Sequence, residues 1–471
     1  MARLTTPNAV AEFMRKRRNW VLITVALGIL LNPLNSSMIS VAVVRLQHAF
    51  SLTFTQVSWL ISTYYLASAI AQPVMGKVAD SVGRKRVYLI GLILVVISSV
   101  TAPFSPTFTW LIGLRLIQSI GSGALFPAGM AIVRQWVTDR QAQALAFLGI
   151  FSSGAAAFGP SIGGFMLHVG DWPAIFTINI PIIIVGVTMG IFLLPPDKFD
   201  NSAGARSAGL KSLFRQLDML GIGLFAAMII LILVFLLSMS QQTIWWTGVF
   251  GVLLIAAFAW RELRSARPFI DLRMFRENMS FTWVEIQFVT VNIIFYCIFF
   301  GIPDYLQDAR HFDAQVTGLL MLCVAGSSVI VSPLTGMWVA KSGSRPPLLL
   351  AGLCLTVGPL LFLTLDTHSS MLWMGVVFFV LGLSNGLNNI GLQTALFKVT
   401  PAPMMGTASG LFMTARYMGT ILSTVFLGFV FSRAIGTPEL HTLGIALGVM
   451  GVLVILMSLR IPKGRYDTAK A

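Results

Sequence analysis

Three ionisable side chains stand within long apolar runs: Arg115, Glu285 and Arg416. An ion at the centre of a bilayer costs about 2.5–3.5 kcal/mol on insertion scales unless it is paired or hydrated. Each of the three therefore faces a watery hollow or a buried partner. Glu285 can load and release a proton there, or it reaches the interface or holds a static salt bridge. Arg115 is followed one turn later by Gln118, an amide acceptor in reach. It either serves charge transfer or is held in place by Gln118 and backbone carbonyls. Arg416 has Glu285 or an anionic ligand as its candidate partner. Two arginines against one glutamate leave the interior positive, which favours neutral, zwitterionic or anionic amphiphiles over dications.

Amides are the second resource. Asn385, Asn388, Asn389 and Gln393 recur at three and four residues and so share one helical face. Asn32, Asn35 and Asn292 lie in other apolar runs, as does Gln118. Lipid cannot satisfy an amide, so these side chains turn inward, toward a ligand or toward a neighbouring helix. The chain has no GxxxxGK[ST] loop, no HExxH pair and no nucleophile elbow. Its three cysteines, Cys297, Cys323 and Cys354, sit in apolar runs without metal spacing and read as small core residues. The expectation is a protein that is not an enzyme, with no metal and no cofactor.

The elements that carry these groups are membrane spans. Of 471 residues, 56% are hydrophobic and 10% charged, where a soluble chain carries about a quarter charged. A span needs about 20 apolar residues. Such runs start near Trp20, Gln56, Val87, Thr107, Gln143, Trp172, Met219, Ile244, Phe281, Val316, Pro347, Met371, Met405 and His441, which makes fourteen. The first follows Arg15, Lys16, Arg17 and Arg18 and is too long for a signal-peptide core, so it reads as a retained helix.

Charge placement tests that count. With fourteen spans, Arg45, Arg310 and Arg433 are the only bases on one side and Arg115 and Arg416 the only ones inside. All others of the 32 Lys and Arg fall on the opposite side. Basic loops mark the cytoplasmic face, so both termini are expected there. One span more or fewer would spoil the asymmetry. The formal net charge of +15 thus reads as topology and not as an affinity for nucleic acid. The densest basic loop is Gly76–Arg86, GKVADSVGRKR. Asp80 and Arg84 lie one turn apart in it, within ion-pair reach, and Gly76 and Gly83 allow two helices to turn closely.

This loop resembles the G-x-x-x-D-x-x-G-R-[KR] signature of the major facilitator superfamily, with Gly76, Asp80, Gly83, Arg84 and Lys85 at its fixed positions. A partial echo, Gly336, Gly343 and Arg345, has Ala340 at the aspartate position, and suggests two related halves. The run Gly159-Pro160-Ser-Ile-Gly163-Gly164 resembles the antiporter motif of the family's exporters. Its small residues permit close helix packing, and Pro160 bends the helix. The layout is similar to the fourteen-helix drug:proton antiporter branch. That resemblance implies an all-α integral membrane fold of two six-helix bundles plus an extra two-helix hairpin. Residues 1–200 would form one bundle, 201–278 the hairpin with its linkers, and 279–471 the other bundle. It also links Arg115 to proton transfer, and seats Asp80 against the start of the penultimate helix, near Met404 to Thr407. One departure stands out. The branch has an acid on the first helix where this chain has Asn35, and an amide cannot carry a proton.

The function expected is secondary active efflux, with protons entering as amphiphilic drug-like compounds leave through the cell membrane. The partners are then a small-molecule substrate, protons and the bilayer, and the chain would act as a monomer. A dedicated exporter of one metabolite or antibiotic, such as a tetracycline, and an uptake permease are the competing readings.

Overall fold

The computed structural model describes residues 7–52, 54–137, 141–197, 218–238, 243–265, 268–312, 314–431 and 435–462. The polar linker 198–217, most of the stretch expected between Asp197 and Asp218, lies outside them, as does Arg433. Helices account for nearly all of the described chain, and none of its described residues is in a strand. Eleven helices among the described residues are long and apolar enough to cross a membrane. Two further apolar helices, Gln143–Ala156 and Met219–Phe235, are shorter.

In order, the helices are α1 Pro7–Ile29, α2 Leu31–Phe50, α3 Phe54–Val82, α4 Arg84–Thr101, α5 Phe108–Trp136, α6 Gln141–Thr177 and α7 Asn179–Leu193. They are followed by α8 Met219–Ser238, α9 Trp245–Arg264, a short α10 Arg273–Glu277 and α11 Met279–Asp304. The chain ends with α12 Ala314–Ser342, α13 Arg345–Leu360, α14 Met371–Val399, α15 Met405–Val430 and α16 Thr437–Arg460.

Local chemistry explains the breaks. The run expected from Trp20 begins earlier, at Pro7, and is interrupted only at Leu30. Pro33 has no N–H to give the Ile29 carbonyl, so the helical ladder loses a rung there. α6 contains a reversal at Gly170 (φ −153°, ψ 25°) and Asp171 (φ 55°, ψ −162°), so it is two helices, and the second starts at Trp172 as the sequence suggests.

The chain divides into two compact units. One comprises Met1–Ala226, Phe258–Asp271 and Thr400–Thr414, the other Ala227–Ala257, Leu272–Val399 and Ala415–Ala471. In the first, α2 lies against α6 so closely that a Cβ on Gly159 would strike Ser37, and one on Gly163 would press on Met38 and Val41. Ser37 also donates to the Ala155 carbonyl at 3.3 Å. Gly164, the last glycine of that motif, has no such neighbour. Pro160 falls within the same helix, and its side chain lies outside the described residues. In the second unit, α14 crosses α12 at Gly382 and Gly386, where a Cβ would meet Val324, Ser327 and Ser328. Without a hydrophobic drive between spans, this close van der Waals contact is what holds such helices together.

Candidate functional site

The tightest constellation in the first unit surrounds Asp80, in the last turn of α3, past that helix's apolar run. Its carboxylate accepts the backbone N–H of Gly406 at 3.2 Å and of Thr407 at 2.9 Å, and the Thr407 hydroxyl at 3.1 Å. These donors belong to the first turn of α15, where N–H groups lack intrahelical partners and the helix dipole favours an anion. Arg84 stands 3.5 Å from the same carboxylate. It also donates to the carbonyls of Ala402 at 2.6 Å and Ala131 at 3.0 Å, and to Gln135 at 2.9 Å. Burial pushes the Asp80 carboxyl up, against the opposing pull of the Thr407 N–H, the Arg84 charge and the Gly406 N–H.

Gly76 has a different role from the turn expected for it. It lies inside α3, and a Cβ there would collide with the Gly406 carbonyl. With Gly406 and Gly410 on the facing helix, Gly76 lets α3 approach the start of α15 closely enough for Asp80 to reach. Gly83 makes the turn, at φ 125°. Lys85 donates its ammonium to the Ile191 and Leu194 carbonyls at 2.7 and 2.8 Å, closing the end of α7. Asp197 accepts the N–H groups of Lys85 and Arg86 at 2.9 and 3.2 Å, capping α4 from another part of the chain. Asp197 was not singled out from sequence. Its signal was an acid just past an apolar run, which is common and does not name a partner.

A buried polar network crosses α2, α3, α5 and α7. Arg115 is 1% exposed. It donates to Gln118 at 2.6 Å, and Gln118 donates to Asn35 at 3.2 Å. Asn35 and Asn179 exchange amide bonds at 3.1 and 2.8 Å. The guanidinium lies 4.2 Å from the Tyr64 ring centre. The Tyr64 hydroxyl shares a 2.9 Å bond with Ser122, which accepts from Asn32 at 3.2 Å. Arg115 and Gln118, paired from sequence, and Asn32 and Asn35, named apart from them, are thus one connected group. Asn179 and Tyr64 complete it unannounced. The Nε and Nη2 atoms of Arg115 have no hydrogen-bond partner, and no described carboxylate pairs with it. The network is therefore a cation among neutral groups.

The second unit separates the groups expected to meet in it. Glu285, in the second turn of α11, is 6% exposed, and its Oε1 has no hydrogen-bond partner. Arg416 does not pair with it. Arg416 donates from Nε to the Tyr296 hydroxyl at 3.0 Å, eleven residues along α11 and so about 16 Å from Glu285. Phe295, Phe299 and Phe300 surround that tyrosine at 5.3–6.2 Å between ring centres. The aromatic run was visible in the sequence, but its rings read equally as lipid-facing.

The amides of this unit are divided as well. Asn385 donates to Ser328 on α12 at 3.1 Å. Asn388 donates to the Ser384 carbonyl of its own helix, and its buried Oδ1 is unpartnered. Gln393 donates to Asn389 at 2.6 Å. Asn292 bonds the Phe288 carbonyl of its own helix at 2.7 Å, with Gly419 packed against it. The shared face exists, but its amides serve helix contacts and one another. No group of three or more His, Cys, Asp or Glu with metal geometry occurs among the described residues.

A carboxylate seated on a helix start, buried polar networks inside apolar helices and small-residue crossings fit a polytopic membrane protein. The family model described as Major Facilitator Superfamily matches residues 25–424, and the chain belongs to that superfamily. It is 46% identical over 446 residues to the uncharacterized MFS-type transporter YwoD of Bacillus subtilis (strain 168), covering 95% of this chain and 97% of that protein. It is 26% identical over 434 residues to the tetracenomycin C resistance and export protein of Streptomyces glaucescens, covering 89% and 77%. Among solved structures, the proton:xylose symporter XylE bound to 6-bromo-6-deoxy-D-glucose superposes with a TM-score of 0.67 at 14% identity, over 95% of this chain and 97% of that one. The protein is a multi-pass membrane transporter that takes small-molecule substrates.

Proposed function

We propose that this transporter is an exporter of the fourteen-helix drug:proton branch, moving amphiphilic drug-like compounds out of the cell by alternating access as protons enter. Its termini and the Asp80 end then lie in the cytoplasm, and residues 201–278 supply the two-helix hairpin added to two six-helix bundles. The observation that carries this reading is the Asp80 latch. A carboxylate held by two backbone N–H groups of another helix is a contact that can be made or broken as a unit, which alternating access requires.

The signs of its parts follow from electrostatics. Burial raises the Asp80 carboxyl in the latched arrangement, so proton binding favours that arrangement. The latch loses this support as pH rises through the raised value. Glu285 is the proton carrier, since it is a buried carboxylate whose Oε1 no neighbour satisfies. Arg416 with Tyr296 and the rings beside it offers a cation and flat aromatic faces to a substrate that is aromatic and neutral or anionic. The tetracenomycin C resistance and export protein among the relatives supports export, and a dedicated exporter of one metabolite or antibiotic is the second reading. Energy comes from the proton gradient, no cofactor takes part, and a monomer suffices.

Substrate-induced proton release in inverted vesicles tests the coupling. The parent protein should release protons on substrate addition, and Glu285→Gln should bind substrate without releasing them. Equal release by both removes Glu285 from the mechanism. Absence of release by the parent under a working substrate rejects proton-coupled export.

A further inference from the structure

The segment that follows α9 is fastened to the helix that carries Asp80. Arg261 and Glu262 end α9. Glu262 is a carboxylate at 1% exposure. Its Oε2 accepts the Ile270 N–H at 3.0 Å, and its Oε1 lies 3.4 Å from the Arg261 guanidinium. Arg261 also bonds the Asp218 carboxylate, which accepts the Gly221 N–H at 2.9 Å and so caps the start of α8. Phe269 is 0% and Ile270 3% exposed, and the Phe269 ring packs 5.4 Å from that of Phe225, which itself lies 5.8 Å from Phe258. With Phe269 and Ile270 buried on one side and the Glu262 bond behind them, the Pro268 carbonyl has a fixed position. Lys77 donates its ammonium to that carbonyl at 3.0 Å. Lys77 neighbours Gly76 and precedes Asp80 by three residues, one turn of α3.

We propose that Glu262 and residues 268–271 form a brace on the gate helix, that Lys77 is the positioning residue joining them, and that α8 and α9 thereby govern how fast the Asp80 latch releases. The inference rests on the reading of Asp80 as a gate. Moving the end of α3 must either break the Lys77–Pro268 bond or carry the brace with it. The brace cannot follow cheaply, because Glu262 would lose its one backbone donor among the described residues and keep a buried charge. The added helix pair then acts as a fixed post for the gate and need not touch substrate.

A cysteine placed at Ser409 reports on the latch. Ser409 is 0% exposed, its hydroxyl has no hydrogen-bond partner, and it sits two residues beyond Thr407. The readout is the maleimide labelling rate of the peptide that contains it, followed by mass spectrometry in the full-length protein in liposomes. Lys77→Met should raise the rate about tenfold, the loss expected for one hydrogen bond to a charged group. Lys77→Arg, which keeps a donor, should stay within about twofold of the parent by the same scale. Phe269→Ala should raise the rate as Lys77→Met does, and the double variant should label no faster than either single one.

Unchanged labelling in Lys77→Met, equal loss in Lys77→Arg, or additive effects of Lys77→Met and Phe269→Ala would each overturn the brace. Asp80→Ala in the same background separates the two levels. If it labels fast while Lys77→Met does not, the gate stands and the brace falls. If it labels like the parent, the gate reading fails and takes the brace with it.

Discussion

The turn from α3 into α4 and the turn from α12 into α13 are built alike and equipped differently. Both end a helix on a left-handed glycine, Gly83 at φ 125° and Gly343 at φ 80°. In both, that glycine's N–H closes the preceding turn, to Ala79 at 3.2 Å and to Val339 at 2.8 Å. Both launch the next helix with arginine, Arg84 and Arg345. At the fourth residue after Gly76 stands Asp80, bound to the start of another helix, and at the fourth after Gly336 stands Ala340, which has no group to offer. Glycine spacing therefore builds the turn, and the acid alone ties it to another helix.

Substitutions can break that comparison. The largest effect is expected for Gly76→Leu, whose side chain would have to displace the Gly406 backbone. Transport should fall below detection while expression of the folded protein persists, and activity near the parent level would deny the close approach any importance. Next is Asp80→Asn. It holds the latch in its neutral, favoured form, so release slows and turnover should fall about tenfold, roughly 1.4 kcal/mol. Its dependence on internal pH should also flatten, because the titrating carboxyl is gone. Ala340→Asp at the matching position should leave both turnover and its pH profile unchanged. A gain of pH dependence there would make the two turns equivalent after all.

Smaller differences sharpen it. Gly83→Ala and Gly343→Ala should each cost about 1–2 kcal/mol for a side chain at positive φ. Gly83→Ala should cost more, since its Cβ also meets the Asp197 carboxylate. Thermal denaturation in detergent would rank them. The smallest effect is expected from Asp197→Asn, which keeps an acceptor for α4 but loses the charge at its helix start, about 0.3–1 kcal/mol. A drop in melting temperature of a few degrees without a change in turnover would mark Asp197 as a cap and not as part of the latch.

The sequence was most legible where physics leaves few choices. Charge density placed Gly76–Arg86 outside the bilayer, and the spacing of Asp80 and Arg84 foretold their ion pair. The site residues inside the helices were legible as types and not as partners. Arg416 and Glu285 are the obvious pair by charge, yet the arginine is taken by Tyr296, about 16 Å along α11 from Glu285. Asn35 looked like a lost proton site and is in fact half of an amide pair with Asn179, 144 positions away. Hydrophobicity and charge are summed along the chain, so the sequence by itself determined that this protein crosses the membrane many times and that its dense charge stays out of the apolar spans. Hydrogen bonds depend on which helix stands beside which, and that is set by packing across distant segments. The family resemblance implied the seat of Asp80 near Thr407, but only the tertiary structure could decide that Gly76 serves an approach and not a turn, and that Lys77 holds Pro268.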